Sequence, residues 1–105
     1  MSDPSRAEIW WGEAPDAKGR PYLVLTRDEA IPVLRTILVA PVTRTVRGIP
    51  TEVALGPAEG LPAECVATMD AVLAFPKSML IRRMGRVAPS GRRTICDALR
   101  AAVDC

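Results

Sequence analysis

Hydrophobic residues along this chain fall in short runs or alternate with polar residues, and turn-forming residues separate the runs at short intervals. This pattern is typical of a small β protein. The predicted strands span residues 8–11, 22–26, 34–42, 51–55, 65–75 and 81–87, with the third broken near Pro41. The run 22–26 is apolar throughout and should be buried on both faces, whereas 51–55 alternates and should be half exposed. Gly85 is expected at a bulge or a close backbone approach.

A helical repeat occurs near the C-terminus. Apolar side chains recur there at helical spacing and charged ones occupy the opposite side: Ile95, Ala98, Leu99, Ala102 and Val103 against Arg93, Asp97, Arg100 and Asp104. The spacing predicts an amphipathic helix that begins near residues 89–91 and packs on the sheet. The expected fold is therefore mainly β with a C-terminal α-helix, a small barrel or sheet closed by that helix.

The length of 105 residues predicts one domain, residues 1–105, with a single core. No apolar run approaches the roughly 20 residues of a membrane helix, and the first six residues lack a hydrophobic signal region. We expect a cytoplasmic protein without a membrane partner.

Histidine is absent, which excludes Ser-His-Asp and Cys-His nucleophile pairs and histidine-containing zinc sites. The three cysteines, Cys65, Cys96 and Cys105, are odd in number and lack C-x-x-C spacing, which disfavours a zinc knuckle or a disulfide framework. We interpret Cys65 and Cys96 as small buried hydrophobes and Cys105 as an exposed terminal thiol.

The basic residues are almost all arginines. The net charge is +2, and of the 14 basic residues only Lys18 and Lys77 are lysines. Guanidinium groups suit bidentate phosphate contacts, so the bias fits a nucleic-acid binder. GC-rich codon usage produces the same bias, and both interpretations stay open on composition alone.

Two polar segments at strand ends could carry chemistry: Lys18-Gly19-Arg20-Pro21 and Thr43-Arg44-Thr45-Val46-Arg47-Gly48. In the first, Gly19 would let the backbone approach a ligand, and Arg20 stands at a strand entrance. The second alternates hydroxyl and guanidinium groups, which together handle phosphate because the arginine neutralises charge and the threonine donates a hydrogen bond. A solvated strand end is the alternative for each.

The order of these segments resembles the MazF/PemK family of toxin-antitoxin ribonucleases over residues 6–103. The matching pieces are RAEIW near the start, GRP followed by LVLTRD, VAPVTRT, IPTEV, GLP with CVA, and IRRMGRV before the terminal helix. The resemblance implies an SH3-like barrel of the CcdB/Kid/MazF type, a homodimer, and a cognate antitoxin as partner. It also implies sequence-specific cleavage of single-stranded RNA without a metal or another cofactor.

The resemblance assigns catalysis to the arginine of the R-P motif and the threonine closing the third strand, which are Arg20 and Thr43. The substrate's own 2′-hydroxyl would attack the adjacent phosphate and leave a 2′,3′-cyclic phosphate and a 5′-hydroxyl. Such a reaction needs orientation and stabilisation of phosphorane charge rather than a protein nucleophile. A general base is not obvious, because the nearest carboxylates are Glu13, Asp16 and Glu52 and exposed carboxylates are usually surface groups.

Further RNA contacts are expected on position alone. Lys18, Arg44 and Arg47 would contact phosphate, and Gly19 would let the protein backbone approach the RNA. The first loop, residues 12–19, is shorter than in many family members, so no base-reading residue is transferred from it. Trp10 and Trp11 must point to opposite faces of a strand. We expect one in the core and Trp11 at the surface, against RNA or a protein partner.

Messenger, ribosomal and transfer RNA are all possible substrates. Two alternatives of another class are a CcdB-like non-catalytic poison that binds a topoisomerase and a small SH3-like module with a structural role. Arg20 and Thr43 favour the nuclease, since a pure binder does not need that pair.

Overall fold

The computed structural model describes residues 3–104, within which the chain forms seven strands and one α-helix. The strands are β1 (Glu8–Gly12), β2 (Arg20–Val24), β3 (Thr36–Thr43), β4 (Glu52–Leu55), β5 (Cys65–Thr68), β6 (Leu73–Pro76) and β7 (Leu80–Arg86), and the helix is α1 (Arg92–Val103). Short 3-10 turns lie at Ile31–Val33, Pro57–Glu59, Met69–Ala71, Lys77–Met79 and Pro89–Gly91. The prediction of a mainly β fold with a C-terminal helix is confirmed.

All strand pairs are antiparallel, in the order β4-β5-β3-β2-β1-β7, and β6 also pairs with β3. Strand β3 is central because it pairs with β2 along one edge and with two strands in succession along the other. On that second edge, Val39 pairs with Leu73 of β6, and Val42 then pairs with Ala67 of β5. This exchange of partners curls the sheet.

The predicted break near Pro41 is wrong, since β3 continues through Pro41, which pairs with Tyr22. The backbone carbonyl of Leu38 accepts a hydrogen bond from the N–H of Leu25, so the backbone groups of Leu38 face the β2 edge of the strand. Backbone groups alternate between edges in an antiparallel strand, so Pro41 faces the other edge, at the gap between β6 and β5. The N–H that proline lacks would have pointed into this gap, so the sheet loses no backbone hydrogen bond at Pro41.

The predicted single strand 65–75 is also wrong, because the 3-10 turn Met69–Ala71 divides it into β5 and β6. The buried Met69 donates its N–H to the Thr51 carbonyl at 2.9 Å, and Thr51 Oγ1 donates to Asp70 at 2.5 Å. These contacts hold a turn that moves the chain from the β4–β5 pair to the far end of β3.

Two hydrophobic clusters pack on the two faces of the sheet. One contains Ile9 and Leu23 and is covered by Ile95 of α1. The other contains Val24 and a pair of rings, Tyr22 and Phe75, whose centroids are 4.6 Å apart. Strand β2 is thus buried on both faces, as predicted.

Helix α1 begins directly after the 3-10 turn Pro89–Gly91, as predicted, and buries Ile95 and Ala98. Val103, expected on the apolar face, is 56% exposed, so that part of the prediction is wrong. The partly buried residues of this face end at Ala102. Among residues 3–104, no helix combines the length and hydropathy needed to cross a membrane.

The expectation for Gly85 is confirmed. The β1–β7 register shifts so that Ile9 pairs with Gly85 and Trp10 with Arg83, which leaves Met84 as the bulged residue. A Cβ at Gly85 would overlap the carbonyl oxygen of Glu59. The glycine therefore permits the loop after β4 to lie directly on β7.

Candidate functional site

The sheet register brings the two polar segments together. Trp11 of β1 pairs with Pro21 of β2, and Tyr22 of β2 pairs with Pro41 of β3. The β2–β3 register, continued to the strand ends, sets Arg20 opposite Thr43. Residues opposite each other in an antiparallel pair project to the same face. The two residues singled out for catalysis thus share one corner of the sheet.

A cleft of about 190 Å³ opens at this corner. Its walls include Trp11, Pro21, Thr43, Arg44, Leu61 and Met84. The lining is mainly apolar, and the Thr43 hydroxyl and Arg44 supply its polar groups.

Arg20 is exposed at the first position of β2, next to the lining residue Pro21. Within residues 3–104 its guanidinium forms no hydrogen bond or ion pair. The full positive charge and all five donors are therefore available to an anion at this corner of the sheet.

Thr43 is half-buried at the last position of β3. Its Oγ1 accepts a hydrogen bond from the backbone N–H of Thr45 at 3.1 Å. This contact fixes the side chain and leaves the hydroxyl proton free to donate to a phosphate oxygen.

The loop after β3 is held by Glu52. Its carboxylate accepts from the backbone N–H of Arg47 at 3.0 Å and of Gly48 at 2.9 Å, where Gly48 has a φ of 69°. The side chains of Arg44 and Arg47 are exposed. Glu52, considered as a base from sequence, instead shapes the loop that carries these two cations.

Trp11 lines the cleft and also contacts the loop before β2. The indole Nε1 donates to Glu13 Oε2 at 2.9 Å, and the same side of the ring packs on Gly19. A Cβ at Gly19 would lie 2.5 Å from the Trp11 Cζ2 atom. The space that Gly19 provides is therefore filled by Trp11, an explanation that the sequence did not suggest. Lys18 beside it is exposed.

The expected division between the tryptophans is only partly right. Trp10 packs against the cluster around Tyr22, and its Nε1 donates to Glu8 at 3.0 Å. Trp11 lines the cleft on the other side. Both are half-buried, so neither is fully in the core nor fully at the surface.

The cysteines near the sheet differ in burial. Cys65 is buried and lines the cleft, and Cys96 is half-buried, while Cys105 lies outside the described residues. Burial raises the pKa of the Cys65 thiol, and Arg44 offsets part of this effect. A protonated thiol is not a nucleophile, so Cys65 serves as packing.

Residues 5–103 match a family described as PemK-like, MazF-like toxin of type II toxin-antitoxin system. The chain belongs to this toxin family.

Curated relatives of this toxin include a "Probable endoribonuclease MazF5" of Mycobacterium tuberculosis, 45% identical over 97% of this chain and 94% of the relative. A "Probable endoribonuclease MazF2" of the same organism is 35% identical over 95% of this chain and 98% of the relative.

Solved structures share the fold of the toxin. The "Mycobacterium tuberculosis toxin MazF-mt6" superimposes with a TM-score of 0.86 at 34% identity, covering 92% of this chain and 96% of that one. An "Endoribonuclease in complex with its cognate antitoxin from Mycobacterial species" gives a TM-score of 0.84 at 25% identity, covering 96% and 95%.

Proposed function

We propose that this toxin is a sequence-specific endoribonuclease that cleaves single-stranded RNA without a metal ion and so inhibits translation and growth. The observation that carries the proposal is the position of Arg20 opposite Thr43 at one corner of the sheet, in a chain whose relatives are named endoribonucleases. That pair handles phosphate, whereas a topoisomerase-binding poison needs no such pair.

The reaction transfers a phosphoryl group within the RNA. The 2′-oxygen forms a bond to the adjacent phosphorus, the bond from phosphorus to the 5′-oxygen breaks, and the products are a 2′,3′-cyclic phosphate and a 5′-hydroxyl. The proton leaves the 2′-hydroxyl and one is delivered to the departing 5′-oxygen. The enzyme must hold these groups in line and stabilise the added negative charge.

Arg20 and Thr43 divide this work. The unpaired Arg20 guanidinium donates to the non-bridging phosphate oxygens as their charge grows. The Thr43 hydroxyl, already fixed by Thr45, donates to a phosphate oxygen or orients the 2′-hydroxyl. Lys18, Arg44 and Arg47 contact flanking phosphates and steer RNA without reading its sequence.

We also propose the biological setting. The toxin acts in the cytoplasm, as a homodimer of one-domain chains, on messenger, ribosomal or transfer RNA. A cognate antitoxin inhibits it, which the complex of a structural relative supports. Exposed apolar side chains at Val33, Leu34 and Leu38 offer surface for protein contacts.

The test is cleavage of a mixed single-stranded RNA substrate in excess EDTA, with chemical mapping of both new ends. We expect 2′,3′-cyclic phosphate and 5′-hydroxyl ends. Arg20→Ala should lower turnover at least about 10²-fold and Thr43→Val about 10²-fold, as loss of one preorganised donor to an oxyanion does.

The matched control is Arg27→Ala, which removes an exposed arginine beyond the opposite end of β2 and should leave turnover unchanged. A strict magnesium requirement, or full turnover by Arg20→Ala, would overturn the proposal.

A further inference from the structure

Trp11 and Glu13 form a unit beside the proposed reaction centre. The two residues are separated by one position, so their side chains project to the same side of the chain at the end of β1. The indole Nε1–H donates to Glu13 Oε2 at 2.9 Å, and the indole also lines the cleft that contains Thr43. An aromatic ring and a carboxylate are thus held together at the edge of the cleft.

The Glu13 carboxylate is not needed to hold the loop in place. The backbone N–H of Glu13 donates to the Met79 carbonyl at 3.0 Å, and Gly12 before it pairs with both Arg20 and Leu80. The main chain is therefore anchored without the side chain. Glu13 is exposed and forms no ion pair among residues 3–104, although the chain is rich in arginine.

The hydrogen bond from Trp11 orients the Glu13 carboxylate and therefore its remaining acceptor lone pairs. One carboxylate oxygen accepts from the indole, which fixes the group relative to the ring, and the remaining lone pairs are available to a ligand. A carboxylate repels phosphate, so the ligand group at this point is not an RNA phosphate. A nucleobase supplies both a flat face for the ring and donors for the carboxylate.

We propose that Trp11 and Glu13 form a base-recognition subsite that stacks one nucleobase on the indole and selects bases carrying an amino group. This inference rests on the proposed RNA cleavage and adds a specificity element to it. Stacking holds a base of any identity, because every base has a π-face. The carboxylate only accepts hydrogen bonds, so it supplies the selection.

Uracil is the base that the subsite disfavours. Its Watson–Crick edge has one N–H between two carbonyl oxygens, and these repel a carboxylate. Cytosine, adenine and guanine each present an exocyclic amino group that donates to it, as carboxylates accept from the cytosine amine in DNA. RNA bases in single strands expose these edges.

The experiment maps cut sites on a randomised single-stranded RNA and measures kcat and KM on two oligonucleotides that differ only by cytosine or uracil at the selected position. The variants are Glu13→Gln, Trp11→Phe and Trp11→Ala. Trp11→Phe keeps a ring but loses the Nε1–H that positions Glu13. Glu29→Gln, an exposed glutamate in the turn after β2, is the matched control.

We expect the wild-type enzyme to prefer an amino base at one position by about 10-fold, within the range of a specific base contact. Glu13→Gln and Trp11→Phe should reduce that preference to about 3-fold or less. Trp11→Ala should raise KM for both oligonucleotides about 10-fold, as loss of a stacking ring does. A loss confined to kcat in Glu13→Gln, with an unchanged preference, would make Glu13 a base and overturn the subsite.

Binding separates this inference from the proposed function. Affinities of all variants are measured for the same oligonucleotides carrying a 2′-deoxy nucleotide at the cut site. A preference in binding that depends on Glu13, in an enzyme that cleaves no RNA, would support the subsite and refute the nuclease. Normal cleavage with unchanged cut sites in Glu13→Gln and Trp11→Phe would refute the subsite alone. Neither binding nor cleavage by the wild-type protein would refute both.

Discussion

Replacing Gly19 by alanine puts a methyl group where the Trp11 indole now lies. The new Cβ would be 2.5 Å from Cζ2 and 2.8 Å from Nε1 of Trp11. Carbon atoms in favourable contact are about 3.5–4.0 Å apart, so the ring must move by roughly 1 Å. That movement disturbs the 2.9 Å hydrogen bond from Nε1 to Glu13.

The expected cost follows from two opposing effects. Overpacking costs typically about 1–3 kcal/mol, whereas a Gly to Ala change without backbone strain stabilises by about 0.4–1 kcal/mol through the unfolded state. Gly19 does not have a positive φ, so the backbone accepts alanine. The difference of these terms lies between about 0 and 2.6 kcal/mol, and we expect Gly19→Ala to lower the free energy of unfolding by about 1 kcal/mol.

The assay is a double-mutant cycle in urea with wild type, Trp11→Ala, Gly19→Ala and the double variant. Once the indole is removed, Gly19→Ala should be neutral or stabilising, which gives a coupling energy of about 1–3 kcal/mol. Additivity within about 0.5 kcal/mol would show that Gly19 does not support Trp11. Gly19→Ala should also raise the KM for RNA. Such a rise would show that the Trp11 indole contacts the bound RNA.

Glu52→Gln should weaken the hydrogen bond that the Arg47 backbone N–H donates to this side chain. We expect the KM for RNA, measured at low salt, to rise about 3- to 10-fold, with little change in the free energy of unfolding. Gly85→Ala should lower the free energy of unfolding by about 3 kcal/mol or more, because its Cβ meets the backbone of Glu59; a change under about 1 kcal/mol in urea would contradict this. Burial raises the pKa of Cys65 above 9.0, so the folded state keeps a proton that the unfolded state loses. Wild type should therefore lose stability relative to Cys65→Ala as the pH rises above 9.0, by up to about 1.4 kcal/mol per pH unit until the folded pKa is passed; parallel curves would contradict this.

The candidate site could be found from sequence only in pieces. Arg20 and Thr43 were identified from a family resemblance, and their residue types suit phosphate. Glu13 and Glu52 were noticed as nearby carboxylates, but their partners were not foreseeable. Glu52 binds backbone N–H groups of a neighbouring loop and Glu13 binds an indole, and such contacts depend on loop conformation rather than residue type.

The sequence by itself determined the local elements and the chemical groups. Strand β2 and helix α1 followed from apolar runs and helical spacing, because burial periodicity is a local property of the chain. The absence of histidine excluded Ser-His-Asp and Cys-His nucleophile pairs and histidine-containing zinc sites. These conclusions need no knowledge of which strands are neighbours.

Only the tertiary structure decided which groups meet. The exchange of partners along β3 explains why Pro41 does not end the strand and why residues 65–75 do not form one. The register between β2 and β3, continued to the strand ends, sets Arg20 opposite Thr43. Pairing of this kind depends on contacts between distant segments and on the fit of their side chains. No local pattern encodes it.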